Sequence, residues 1–96
     1  MKFRVVIRQK SADAVNELPV KTRRILHSAL AALEENPYPG TGGDKERLQL
    51  EEGVDVYWLP IGRSYTALYT FDDNDRVVQV HEVMTIAQAH KKYGRM

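Results

Sequence analysis

Three runs of alternating side chains crowd into the second half of the chain, and the turns between them are too short for anything but hairpins. Val54 to Ile61 is the first run, and Ile61-Gly62-Arg63-Ser64 turns the chain into the second. There Tyr65, Ala67, Tyr69 and Phe71 alternate with Ser64, Thr66, Leu68 and Thr70. Such alternation puts aromatics on one face of a strand and mostly small or polar groups on the other. Asp72-Asp73-Asn74-Asp75 is rich in turn formers, and Arg76 to Val83 makes the third run. Strands joined this tightly are antiparallel neighbours. Pro60 has no amide to give a ladder, so it belongs near a strand end or on an edge.

The first half supplies a strand and the helices to cover such a sheet. Phe3, Val5 and Ile7 alternate with Lys2, Arg4 and Arg8, with Val6 breaking the pattern. Ser11 offers a helix N-cap before ADAVNEL, which stops at Pro19. Val20 to Glu35 carries Ile25, Leu26, Ala29, Leu30 and Leu33 as one apolar stripe and ends at Asn36-Pro37. Tyr38 to Gly53 reads as a long polar connection, within which Arg47 to Leu50 can form a short extended piece. Thr85-Ile86-Ala87-Gln88 has the spacing of a capping box, predicting a helix from Ile86 to Tyr93 with Gly94 as its stop. The order is β-α-α-β-β-β-α. It predicts an α+β domain: a mainly antiparallel four-stranded sheet, two N-terminal helices packed on one face and a short C-terminal helix.

The chain of 96 residues is read as one domain, 1–96, too small to spare much surface for a deep pocket. A net charge of +1 gives no overall argument for a nucleic-acid partner, which basic proteins hold through a marked cationic excess. Cations cluster only locally, at Lys21, Arg23 and Arg24 and again at Lys91, Lys92 and Arg95. The absence of cysteine excludes disulfides and thiolate chemistry and fits a reducing compartment. The opening MKFRVVIRQK carries charges through its apolar run, unlike a signal peptide or a membrane span. The expected location is cytoplasmic.

LPVKTRRILHSALAALEENP, leading through a loop to LQLEEGVDVYWLPIGRSYTALYTF and then RVVQVHEV, resembles the RelE/ParE superfamily of bacterial and archaeal toxins. The likeness covers nearly the whole chain. Its most diagnostic pieces are the helix ending in Glu-Asn-Pro, the G-x-x-Y-x-x-x-Y run from Gly62 to Tyr69, and the valine-rich strand before a tail with Tyr93. The resemblance implies the toxin half of a type II toxin–antitoxin pair, with a cognate antitoxin as partner. Many RelE-like members cleave mRNA in the ribosomal decoding site, whereas ParE-like members poison DNA gyrase. For the first kind the implied chemistry is an endoribonuclease without metal or cofactor, in which the 2′-hydroxyl attacks the adjacent phosphate while cations hold the charge that builds there.

The sequence departs from that pattern where it matters. RelE-like enzymes tend to place an arginine directly after the tyrosine matching Tyr65, and here Thr66 stands there. Basic residues common on the preceding strand are replaced by Tyr57 and Leu59, and the arginine usual after the last strand has only Met84, Thr85 and Ile86 in its place. Three readings therefore stay open: an RNA-directed toxin with an altered or relocated catalytic set, which leads; a toxin acting by protein contact; and a degenerate member that only binds its antitoxin.

Under the leading reading the catalytic candidates are Tyr93, His90 and Arg63, with Lys45, Arg47, Lys91, Lys92 and Arg95 as contacts to RNA phosphate. Each has a plainer reading, as core cover for Tyr93 and as a solvated helix end for His90, Lys91 and Lys92. His81, on an alternating strand with Val77, Gln79 and Val83, reads as a structural histidine, and His27 as surface. No set of histidines and carboxylates has metal-ligand spacing, so no metal is expected.

Overall fold

The computed structural model describes residues 2–38 and 55–93 in full and the backbone of 46–49. Five strands, β1 (Arg4–Ile7), β2 (Glu46–Gln49), β3 (Asp55–Ile61), β4 (Tyr65–Asp72) and β5 (Val77–Thr85), form one sheet in the order β1-β5-β4-β3-β2. Only β1 runs parallel to its neighbour; the rest are antiparallel. The four strands expected from alternation are all present, and the extended piece foreseen within the long connection adds β2 at the edge. Pro60 lies beyond the last β2–β3 pair, Glu46 with Trp58, so its missing amide costs that ladder nothing.

Two helices, α1 (Gln9–Asn16) and α2 (Val20–Ala31, continued by a 3-10 turn at Ala32–Glu34), cover one face. Val15, Leu26, Leu30 and Leu33 pack there against Phe3, Leu59, Ile61, Ala67, Tyr69, Val78 and Val80. The Tyr69 hydroxyl donates to the carbonyl of buried Pro37 at 2.6 Å, which pins the end of the helical stripe to the sheet. Ser11 is not the N-cap. Arg8 holds that position, α1 starts three residues earlier, and the Ser11 hydroxyl instead donates to the carbonyl of His81 at 2.9 Å.

The last helix, α3 (Ile86–Tyr93), lies on the opposite face over a second, smaller core of Val56, Trp58 and Leu68, into which Ala89 inserts. Its start is the expected capping box. The Thr85 amide donates to the Gln88 carboxamide at 2.9 Å, and the Gln88 amide to the Thr85 hydroxyl at 3.1 Å. Between the two faces β5 carries an irregularity: Leu68 pairs with Glu82 but the next residue, Tyr69, pairs with Val80. His81 is the extra residue of a β-bulge, and the bulge reverses the alternation beyond it. Val78, Val80 and Val83 therefore all belong to the α1–α2 side, and His81 does not share a face with Val83 as unbroken alternation would have it.

Candidate functional site

Past Ile7 the chain leaves the sheet and turns into α1, so β1 accompanies β5 only as far as Val80. Beyond that point β5 runs on for five residues between α1 and α3, and a cleft of about 490 Å³ opens there. Arg8, Lys10 and Ser11 line one wall; His81 and Glu82 form the floor; Lys92 and Gln88 reach over from α3. Three of these groups are cationic and one is a carboxylate.

The bulge sets the floor. His81 Nε2 lies 2.9 Å from the Thr70 hydroxyl, on the α3 side of the sheet. Burial lowers the His81 pKa, Arg8 lowers it further, and Glu82 opposes them, so the ring is neutral at pH 7. Glu82 takes two hydrogen bonds from α3: Lys92 Nζ reaches Oε1 at 2.6 Å, and the Tyr93 hydroxyl donates to Oε2 at 2.5 Å. Burial alone would push the Glu82 carboxyl up, but those bonds, with the charges of Lys92 and Arg8, outweigh it and hold the carboxyl below its ordinary range. The Tyr93 phenol moves the other way, raised by burial and by its bond to Glu82. The cluster is an ionised carboxylate gripped by a protonated phenol and an ammonium, beside a neutral imidazole.

Of the expected site residues, Tyr93 and Lys92 come together here. Tyr93 also sets its ring edge-on against Trp58, with centroids 5.2 Å apart, so the core-cover reading and the site reading both describe it. His90 and Lys91 are exposed on α3 outside the cleft lining. Arg63 is elsewhere: it sits in the β3–β4 turn and borders a smaller hollow with Thr22 and Ile25 of α2. The Ile86 amide donates to the Ser64 carbonyl, which ties that turn to the start of α3, roughly 10 Å along the helix from Tyr93 at its end. Lys45 and Arg95 fall outside the described residues, as does the side chain of Arg47, whose backbone pairs with Tyr57.

Sequence reasoning missed Arg8, His81 and Glu82 as a group. Glu82 carried a usable signal, since an acidic residue in a valine-rich strand on the side of a cationic helix needs a partner from that helix. The approach of Arg8 carried none, because it depends on β1 pairing with a strand more than seventy residues away, and the bulge is fixed only by the pairing of β5 with β4. Where the RelE-like arginine would sit, Thr66 is fully buried, its hydroxyl donating to the Leu59 carbonyl at 3.3 Å.

No protein-family model matches the chain, and no curated protein matches it significantly. Solved structures do. The archaeal RelE–RelB complex from Pyrococcus horikoshii contains a chain 25% identical, with a TM-score of 0.73, covering 88% of this chain and 96% of that one. The toxin–antitoxin complex RelBE2 from Mycobacterium tuberculosis gives 17% identity at a TM-score of 0.73, over 88% of this chain and 99% of that one. A variant of the E. coli toxin RelE in the free state gives 19% identity and 0.62, over 98% and 93%. The mixed sheet with paired helices on one face and a short helix on the other is thus shared across nearly the full length of each. The chain has the fold of the RelE toxins, as its sequence resemblance implies.

Proposed function

We propose that this chain is the toxin half of a type II toxin–antitoxin pair and that it cleaves mRNA without a metal, using the cluster at the α1/β5/α3 cleft. The fold shared with toxins solved in complex with their antitoxins supports the first part. The observation that carries the second is the joint grip of Tyr93 and Lys92 on Glu82, which lines a cationic cleft. In the reaction the 2′-hydroxyl oxygen bonds to the adjacent phosphorus and the bond to the 5′ oxygen breaks. Glu82, ionised, accepts the hydroxyl proton; Tyr93 supplies a proton to the departing 5′ oxygen; Lys92, bonded to Glu82, keeps that carboxylate ionised. The products are a 2′,3′-cyclic phosphate and a free 5′-hydroxyl.

The test is induction in cells followed by mapping of mRNA ends with and without translation. Cuts that require translation are expected, and co-expression with an antitoxin encoded beside the gene is expected to abolish them. A specific observation favours a second reading. Thr66, where RelE-like enzymes carry an arginine, is fully buried opposite Met84, which with Leu68 belongs to the apolar core under α3. A toxin acting by protein contact needs no cations there. Intact transcripts together with gyrase-linked DNA breaks would select that reading.

A further inference from the structure

The cation missing from position 66 leaves an RNA-directed toxin without its phosphate clamp, and a cleft that gathers three cations lies at the β1–α1 junction. Its lining carries Arg8, Lys10 and Lys92 against the single carboxylate of Glu82, an excess of two positive charges, where the whole chain has a net charge of +1. Lys92 is already committed to Glu82, but Arg8 and Lys10 form no ion pair with a described carboxylate. Both are exposed. Arg8 lines the cleft together with His81 and Glu82, and its charge acts on both.

We propose that Arg8 and Lys10 grip a backbone phosphate of single-stranded RNA in this cleft, with Glu82 receiving the neighbouring 2′-hydroxyl. This rests on the RNA-directed reading above and names the cation that the reading lacks. A guanidinium suits the role because its planar fork matches two phosphate oxygens and its charge is permanent. An ionised carboxylate has about four lone-pair sites, and Lys92 and Tyr93 occupy two of them. Glu82 therefore keeps room for one hydroxyl donor. DNA has no such donor, so the carboxylate repels its phosphate with nothing in return. The cleft volume of about 490 Å³ lies in the range of small-ligand sites.

The experiment titrates a fluorescein-labelled ten-nucleotide single-stranded RNA, and DNA of the same sequence, into the purified chain at several salt concentrations. RNA integrity is checked on a gel after each titration. Arg8→Ala with Lys10→Ala is compared with Lys21→Ala with Arg24→Ala, which removes equal charge from exposed positions on α2. Thermal melts confirm that both double variants fold. The cleft variant is expected to bind at least tenfold more weakly, with the slope of log K against log salt shallower by about 1.4, or ~0.7 for each cation removed from the phosphate. Arg8→Lys is expected to recover part of the affinity, and DNA to bind less tightly than RNA.

Equal weakening by both double variants, unchanged binding by the cleft variant, or no RNA binding by the parent chain overturns the clamp. Equal affinity for DNA and RNA overturns the part assigned to Glu82. The RNA-directed reading fails separately, when transcripts stay intact on induction of the parent chain. Transcripts still cut by the cleft variant would sink the clamp and leave that reading standing.

Discussion

Thr66 shows how one side chain can decide what a surface is for. It is fully buried and bonded to the Leu59 carbonyl, opposite Met84 on β5 and two residues from Leu68, so it belongs to the packing of the sheet. Restoring the arginine of RelE-like enzymes there would bury a charge with no described partner. Thr66→Arg is expected to destabilise the fold by about 3 kcal/mol or more in urea unfolding, with no gain in cleavage. Tyr93 is the reverse case, half-buried with its hydroxyl bonded to Glu82 of the cleft. Its ring packing survives in Tyr93→Phe, so a general-acid role predicts a fall in cleavage of about a hundredfold with little change in melting temperature. Cleavage by the variant at the parent rate, measured on mapped transcripts, would remove Tyr93 from the chemistry.

Among the elements, α3 bears most directly on the site. Eight residues make a helix too short to persist alone, so its place depends on its cap and on one apolar patch. Thr85→Ala removes the cap hydroxyl and is expected to cost about 1 kcal/mol. In a domain of this size that lowers the melting temperature by roughly 4–8 °C, read by circular dichroism. The β3–β4 turn makes a second test. Gly62 has φ +61°, and a Cβ there would meet nothing within 4 Å, so Gly62→Ala is expected to cost about 1–2 kcal/mol from backbone strain alone. Both features were legible in the sequence, the Thr85–Gln88 spacing as a capping box and Ile61–Ser64 as a turn, because both are settled within four residues. Ser11 was misread for the opposite reason. Its hydroxyl had a local use as a cap, but a carbonyl seventy positions away claimed it. The β5 bulge was not read either: His81-Glu82 puts two polar residues between Val80 and Val83, but only pairing with β4 shows which residue is extra. The strand scaffold could therefore be read from local patterns, while the cleft, which depends on that bulge, could not.

For the whole molecule, the cleft links proton binding to folding. His81 and Glu82 both have pKa values lowered by the fold, so the folded state holds fewer protons than the unfolded chain as the pH falls. The stabilising contribution is present above the unfolded values, ordinarily 6.5 for His81 and 4.5 for Glu82, and is lost as pH falls through the lowered ones. Urea midpoints are expected to hold near neutrality, to fall once the pH drops below about 6.5 as the unfolded His81 begins to take up a proton, and to fall further in the range where Glu82 titrates. His81→Gln should flatten the first part and leave the second. The two cores add a final consequence. The chain has one tryptophan, Trp58, and it lies in the smaller core beneath α3 with the Tyr93 ring against it. Its indole emission is therefore a built-in reporter on whether the C-terminal helix is seated, readable without a label and separately from the backbone signal of the sheet.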